Sequence, residues 1–180
     1  MAIINNRKQY GVVHTTNVSA VRTGNMRAQY GLDATDFATL KAENGMLLVV
    51  DDFNKSIKLP TDIKTTKIYL VASEIDDYDG KGEANYALTR GSFLPRMLEL
   101  KVDDKFETNG FNWNSTTYAD MAALEAAIKV GVVYGETNVD GFIRIAATPT
   151  ALAVTELKVR RKVMLPNGEY GLEFIVNKIG

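Results

Sequence analysis

VTELKVRRKVMLPNGEYGLEFIVNK, residues 154–178, is the stretch that decides the fold class. Leu157, Val159, Val163 and Leu165 fall on one parity and Lys158, Arg160 and Lys162 on the other, the pattern of a half-buried strand with one wet face. The returning run puts Tyr170, Leu172, Phe174 and Val176 on a single parity. Between the runs stands Pro166-Asn167-Gly168, where proline sets φ for a turn position and glycine accepts positive φ without a Cβ penalty. The stretch is therefore expected to be a β-hairpin that closes an apolar core. It says nothing by itself about function.

The rest of the composition fits that beginning. At 180 residues the chain has the length of one ordinary domain, enough to bury about two thirds of its unfolded surface. Lysine and arginine number 21 against 22 aspartates and glutamates, for a formal net charge of −1. No overall field draws the chain to nucleic acid or to an anionic bilayer, so an electrostatic partner has to be met by a local patch. The absence of cysteine excludes disulfides, thiolate metal sites, iron–sulfur clusters and cysteine nucleophiles. The opening MAIINNRKQYGVV lacks the apolar core of a secretion signal, and no run approaches a membrane span. The chain is expected to be made and kept in a cytoplasm, or assembled there into something larger.

Working outward from the hairpin, residues 1–24 have no helical period and one short apolar cluster, Tyr10-Gly11-Val12-Val13. They read as an extended N-terminal arm that orders against a partner, leaving 25–180 as a single β-rich domain. Met26, Ala28, Tyr30 and Leu32 share a parity, as in a strand, and residues 34–44 read as a polar connection. The apolar run 46–50, the polar loop 51–55 and the alternation through Ile57 and Leu59 predict a second hairpin. Residues 67–73 read as a buried strand, 74–82 as a surface loop, and 86–89 and 97–102 as strands. Asp103-Asp104 reads as a tight turn that starts a return over 105–113. One helix is expected at about 118–130, with Thr117 as its cap, Met121, Leu124 and Ile128 as its stripe and Gly131 as its stop. Strands at 132–134 and 142–146 complete an α+β fold, mainly antiparallel β, as a barrel or sandwich carrying one helix.

The search for chemistry finds no catalytic, cofactor-binding or metal-binding set. His14 is the only histidine and lies in the expected arm, where a base for a nucleophilic triad would have no fixed geometry. The acidic run Asp76, Asp77, Asp79 and Glu83 fails the calcium-loop register: with Gly80 at the glycine place, the first ligand would be Ile75 and the last Tyr86. Gly80-Lys81-Gly82 and Gly91 lack the strand, lysine and helix order of a phosphate loop. Many carboxylates are present, yet no spacing selects a hydrolase pair. Trp113 reads as a buried anchor flanking the helix start. The notable charge cluster is Lys158, Arg160, Arg161 and Lys162, whose first, second and fourth members share a parity. On the open face of an edge strand they discourage aggregation. They also suit docking on an acidic protein surface.

Residues 22–51, RTGNMRAQYGLDATDFATLKAENGMLLVVD, together with the closing LPNGEYGLEFIVNKIG, resemble small virion structural proteins of tailed bacteriophages, of the head decoration or auxiliary capsid type. The stretch from Tyr86 to Val139 is longer than a minimal protein of that type needs. The resemblance implies a non-enzymatic role without cofactors. It implies binding to the major capsid protein or other virion subunits on the outer surface of an assembled shell, as a monomer or a small homo-oligomer. It also implies a place in the virion, after assembly in the host bacterial cytoplasm, with no membrane and no direct nucleic-acid contact. Arg7, Lys8, Tyr10, Arg22 and Arg27 from the arm and Lys158, Arg160 and Lys162 from the hairpin are the candidate contacts. Two alternatives stand beside it. One is a tail or neck component, such as a tube, terminator or adaptor subunit; the other is a carbohydrate-binding module using Trp113 and Tyr78.

Overall fold

The computed structural model describes residues 2–65, 67–73, 87–91 and 94–180. The fold is α+β and β-rich, as expected. The N-terminal third holds β1 (Ile3–Asn5), β2 (Val13–Asn17), a short helix α1 (Ser19–Thr23), β3 (Met26–Arg27), β4 (Gly31–Leu32), β5 (Leu47–Asp51) and β6 (Ser56–Lys58). Then follow β7 (Ile68–Val71), β8 (Met97–Glu99), β9 (Lys105–Thr108), β10 (Phe111–Asn114) and the main helix α2 (Met121–Val130). The chain closes with β11 (Tyr134–Glu136), β12 (Ile143–Ala146), β13 (Glu156–Met164) and β14 (Tyr170–Lys178).

These strands make an eight-stranded sheet in the order β1-β10-β12-β11-β13-β14-β9-β2 and a six-stranded sheet in the order β3-β8-β7-β5-β6-β4. The hairpin that opened the sequence reading is β13–β14, with Met164 opposite Tyr170. The larger sheet is strongly curled. Its strands β9 and β10 stand near opposite ends of the order but are joined by only Asn109-Gly110. Phe111 on β10 and Phe174 on β14 lie four places apart in the order, which is roughly 19 Å in a flat sheet. Their ring centroids are 6.2 Å apart, across the interior. Gly135 on β11 leaves room for this crossing, because a Cβ there would come within 2.6 Å of Ile143 Cγ2 and 3.0 Å of Phe174 Cε1.

Both sheets contribute to one core, in which Phe106, Phe111, Trp113, Leu157 and Phe174 from the larger sheet join Leu47, Ile68, Leu70 and Leu98 from the smaller. The smaller sheet is buried on its other face too. Leu48, Val50, Val71 and Met97 pack there beneath Leu32, Phe37, Ala42 and Leu88. This is why residues 46–50 read as an unbroken apolar run rather than an alternation.

Three expectations need correction. Residues 2–24 hold two strands and a short helix, and they are not a free arm. β1 pairs with β10, β2 pairs with β9, and Val12, Val18 and Ala20 are fully buried. Their apolar residues are too sparse to show a period, yet Val18 and Ala20 join the core and Ile4 and Val13 pack against it. Second, β8 and β9 are not the two arms of a hairpin, because the turn at Asp103-Asp104 carries the chain from one sheet to the other. Asp104 is buried and pins that crossing, accepting from Ser19 N at 2.8 Å, Ser19 Oγ at 3.0 Å and Lys101 N at 2.8 Å.

Third, the cap of α2 is Asp120, whose Oδ1 accepts from Ala123 N at 2.8 Å, and not Thr117. Gly131 ends the helix at φ 79° as expected, and Leu124 and Ile128 are the buried stripe. Replacing Asp120 by alanine is expected to cost about 1 kcal/mol. Urea denaturation monitored by circular dichroism measures it, and an unchanged midpoint would remove Asp120 from that role.

Candidate functional site: a basic face on the larger sheet

The basic run of β13 is split by a β-bulge. Val159 pairs with Phe174 and Arg161 with Glu173, so Arg160 is the extra residue and the parity of the strand changes there. Strict alternation had placed Lys158, Arg160 and Lys162 on one side, and this is corrected. Beyond the bulge Lys162 lies opposite Leu172, on the side of the core and of α2. There its Nζ donates to Glu125 Oε2 at 2.5 Å and sits 4.3 Å from the Tyr170 ring centroid. The contact with Lys162 holds the Glu125 carboxyl below its ordinary range. Lys162 is thus a helix-to-sheet tether and is not available to a partner.

Lys158, Arg160 and Arg161 remain on the outer face, where cross-strand neighbours build two rows. In the first, His14 on β2 lies opposite Glu107 on β9, which lies opposite Glu173 on β14. Two carboxylates directly opposite one another repel, and Arg161 bridges them. It donates to Glu173 through Nε and stands 3.6 Å from Glu107 Oε1. The hydrogen bond to Glu173 raises the Arg161 pKa further above its ordinary value. Arg160 Nη1 reaches Glu173 Oε1 at 3.0 Å, and His14 Nδ1 is 4.0 Å from Glu107 Oε2.

The second row crosses four strands: Lys105 opposite Ile175, Ile175 opposite Lys158, and Lys158 opposite Tyr134. Lys158 is exposed, the other three are half-buried, and neither lysine has an ion pair among the described residues. Lys105, Lys158, Arg160 and Arg161 therefore stand against only Glu107 and Glu173 on these two rows. The next row ends the patch with Glu156, Glu136 and Arg144. There Glu136 is fully buried, bound by Arg144 Nη2 at 2.5 Å and by Thr150 Oγ1 at 2.9 Å.

No protein-family profile, curated protein or solved structure matches this chain. The function has to be argued from these side chains.

The candidate contacts fall in separate places. Arg7 is largely buried, with Nη1 donating to Glu43 Oε2 at 2.9 Å and its guanidinium carbon 3.5 Å from the Phe142 ring centroid. It is an internal clip and is withdrawn as a partner contact. Tyr10 accepts from Lys41 Nζ at 2.6 Å. Lys8, Arg22 and Arg27 are exposed, and Arg27 stands 4.0 Å from Asp52. Trp113 is buried, with Nε1 donating to the Tyr118 carbonyl at 3.0 Å, so it offers no platform to a sugar. Tyr78 and the acidic run from Asp76 to Glu83 lie outside the described residues.

Glu107 and Glu173 do converge, but on an open sheet face under Arg160 and Arg161. Among the described residues no group of three or more histidines, aspartates or glutamates is placed to hold a metal ion. No described helix is long and apolar enough to cross a membrane. The arrangement suits one task well: two free ammonium groups beside Ile175 and Tyr134 offer a shallow, cationic and partly apolar contact to an acidic protein surface. Sequence reasoning missed Lys105, Tyr134 and Ile175, since their adjacency to Lys158 exists only through strand pairing.

Proposed function

We propose that this chain is a non-enzymatic structural protein that attaches to the outer surface of a larger protein assembly through the basic face of its eight-stranded sheet. A tailed-phage head is the assembly suggested by residues 22–51 and the closing hairpin. One observation carries the reading: Lys105 and Lys158 have no ion pair among the described residues and flank Ile175 on a sheet face whose reverse side is core. Surface charges of this kind contribute modestly at each site and act through attraction and orientation. Repetition over a lattice of equivalent sites makes modest affinity sufficient.

The test uses phage heads stripped of their outer surface protein, with binding followed by co-sedimentation. Lys105→Glu combined with Lys158→Glu is expected to weaken binding at least about tenfold at low salt, and less as the Debye length shortens. Lys162→Ala serves as the control, because its side chain points to the core side and its loss leaves the outer face intact. Undiminished binding by the charge-reversed protein would overturn the assignment of this face. Ring or tube formation by the purified protein would instead favour a tail or neck component.

A further inference from the structure

Asparagine is followed by glycine at Asn44-Gly45, Asn109-Gly110 and Asn167-Gly168. At such a step a chain can modify itself, because glycine has no Cβ to keep its nitrogen from the neighbouring carboxamide. The reaction asks three things of the fold: a glycine N–H that can leave its acceptor, a carboxamide that can turn toward it, and water at the product. The three steps differ in all of them.

Asn44 and Asn109 are held shut. The Asn44 carboxamide exchanges two hydrogen bonds with Ser73, Nδ2 donating to its carbonyl at 3.2 Å and Oδ1 accepting from its N–H at 2.8 Å, and Gly45 N donates to the Val71 carbonyl at 2.8 Å. Asn109 Nδ2 donates to Glu169 Oε2 and its Oδ1 accepts from Val12 N, both at 2.6 Å, while Gly110 N donates to Thr108 Oγ1 at 2.9 Å. Both asparagines are buried. Turning either carboxamide strands buried donors and acceptors, so these steps react only when the structure around them opens.

Asn167 stands instead at the tip of the β13–β14 hairpin. Its Oδ1 accepts from Glu169 N at 3.1 Å, and its Nδ2 has no hydrogen-bond partner among the described residues. The nitrogen that must depart is thus held by nothing. Gly168 is exposed at φ 76°, and a Cβ built on it would meet nothing within 4 Å. Its N–H donates to the Leu165 carbonyl at 2.9 Å, a bond internal to the turn. Opening that bond disturbs no strand pairing. Pro166 is exposed as well, so water reaches the turn.

We propose that Asn167 is a self-modification site, where the folded protein converts asparagine to aspartate and isoaspartate through a cyclic imide with Gly168. The Gly168 nitrogen attacks Cγ of Asn167, the new C–N bond forms as the bond from Cγ to Nδ2 breaks, and the Gly168 amide proton leaves with the amino group as ammonia. Water then opens the imide at either carbonyl. The only co-reactant is water, and nothing is oxidised or reduced. Either product adds a negative charge at the tip of the hairpin, and isoaspartate also lengthens the main chain of the turn. The inference does not depend on the basic face.

The test is peptide mapping by mass spectrometry of the full chain, incubated folded and, in parallel, unfolded in urea, in the same mildly alkaline buffer. Trypsin places the three steps on separate peptides, 42–55, 106–129 and 163–178, so each conversion of amide to acid is followed on its own. Unfolded, all three are expected to convert at similar rates. Folded, Asn167 is expected to stay within about tenfold of its unfolded rate, while Asn44 and Asn109 slow at least about a hundredfold, because a turn tip opens far more often than buried structure does. An Asn167 protected by folding as strongly as the other two, or an Asn44 or Asn109 that converts as fast as Asn167 in the folded protein, would overturn the proposal.

Discussion

Arg7→Ala is expected to destabilise the fold by about 3–5 kcal/mol at neutral pH, the usual cost of removing one partner from a buried ion pair. The segment between β1 and β2 is held at Arg7 and Gly11 through Glu43. One carboxylate oxygen, Oε2, accepts from Arg7 Nη1 at 2.9 Å and from Gly11 N at 2.7 Å. Arg7 is itself oriented by its Nε, which donates to Asn5 Oδ1 at 3.1 Å, and by the Phe142 ring beneath it. Removing the guanidinium leaves a buried carboxylate with a single backbone donor.

The same substitution carries a pH signature. Burial raises the Glu43 pKa above its ordinary value, and the attraction of Arg7 works the other way. Without Arg7 the folded-state pKa climbs further. A carboxyl whose pKa is raised on folding contributes stability that is fully present below its unfolded pKa and is lost as pH rises through the folded one. The deficit of Arg7→Ala relative to the unaltered protein is therefore smallest near pH ~4, where an unfolded glutamate titrates, and grows toward neutrality. Urea denaturation of both proteins across that range measures it. A deficit independent of pH would show that Glu43 does not remain buried and unpaired.

Gly45→Ala is expected to cost about 2–5 kcal/mol, by two separable mechanisms. Gly45 adopts φ 86°, where an L side chain costs about 1–2 kcal/mol. An added Cβ would also stand 2.0 Å from Thr108 Oγ1, with Gly110 Cα at 3.5 Å, and overpacking of this kind costs about 1–3 kcal/mol. Thr108 cannot simply turn away. Its Oγ1 donates to the Val12 carbonyl at 2.6 Å and accepts from Gly110 N at 2.9 Å, tying β2 to the corner between β9 and β10. Gly91 provides the reference, since it has φ 87° with nothing within 4 Å of its added Cβ. Gly91→Ala should show the backbone cost alone, and the difference between the two denaturation midpoints gives the steric part. Equal losses would mean that Thr108 yields freely.

Legibility from the sequence tracks how local each determinant is. The β13–β14 hairpin, the β5–β6 hairpin and the glycine stop of α2 rest on neighbours in the chain and were read correctly. Trp113 was placed in the interior as an anchor flanking the helix start, and it is buried. The bulge at Arg160 left no mark, for a register shift is a property of two strands, and it moved Lys162 to the other side. Arg7 and Glu43 are separated by 36 positions, so a buried pair read as one exposed cation in an arm. The separation of β8 from β9 failed for a like reason: alternation shows that a strand exists and not which sheet receives it. Of the basic face, only the β13 residues were visible in advance.

β1 and β2 run alongside β10 and β9, Ile3 opposite Asn114 and Val13 opposite Thr108. During synthesis, the strands that emerge first have to wait for partners made more than half a chain later. Such non-local pairing is slow, because loop closure comes before any contact rewards it. Until residues 105–114 arrive, Val12, Val13 and Val18 have no interior to enter, and the segment is open to other strands or to a chaperone. The part of the chain made first is among the last to be fixed.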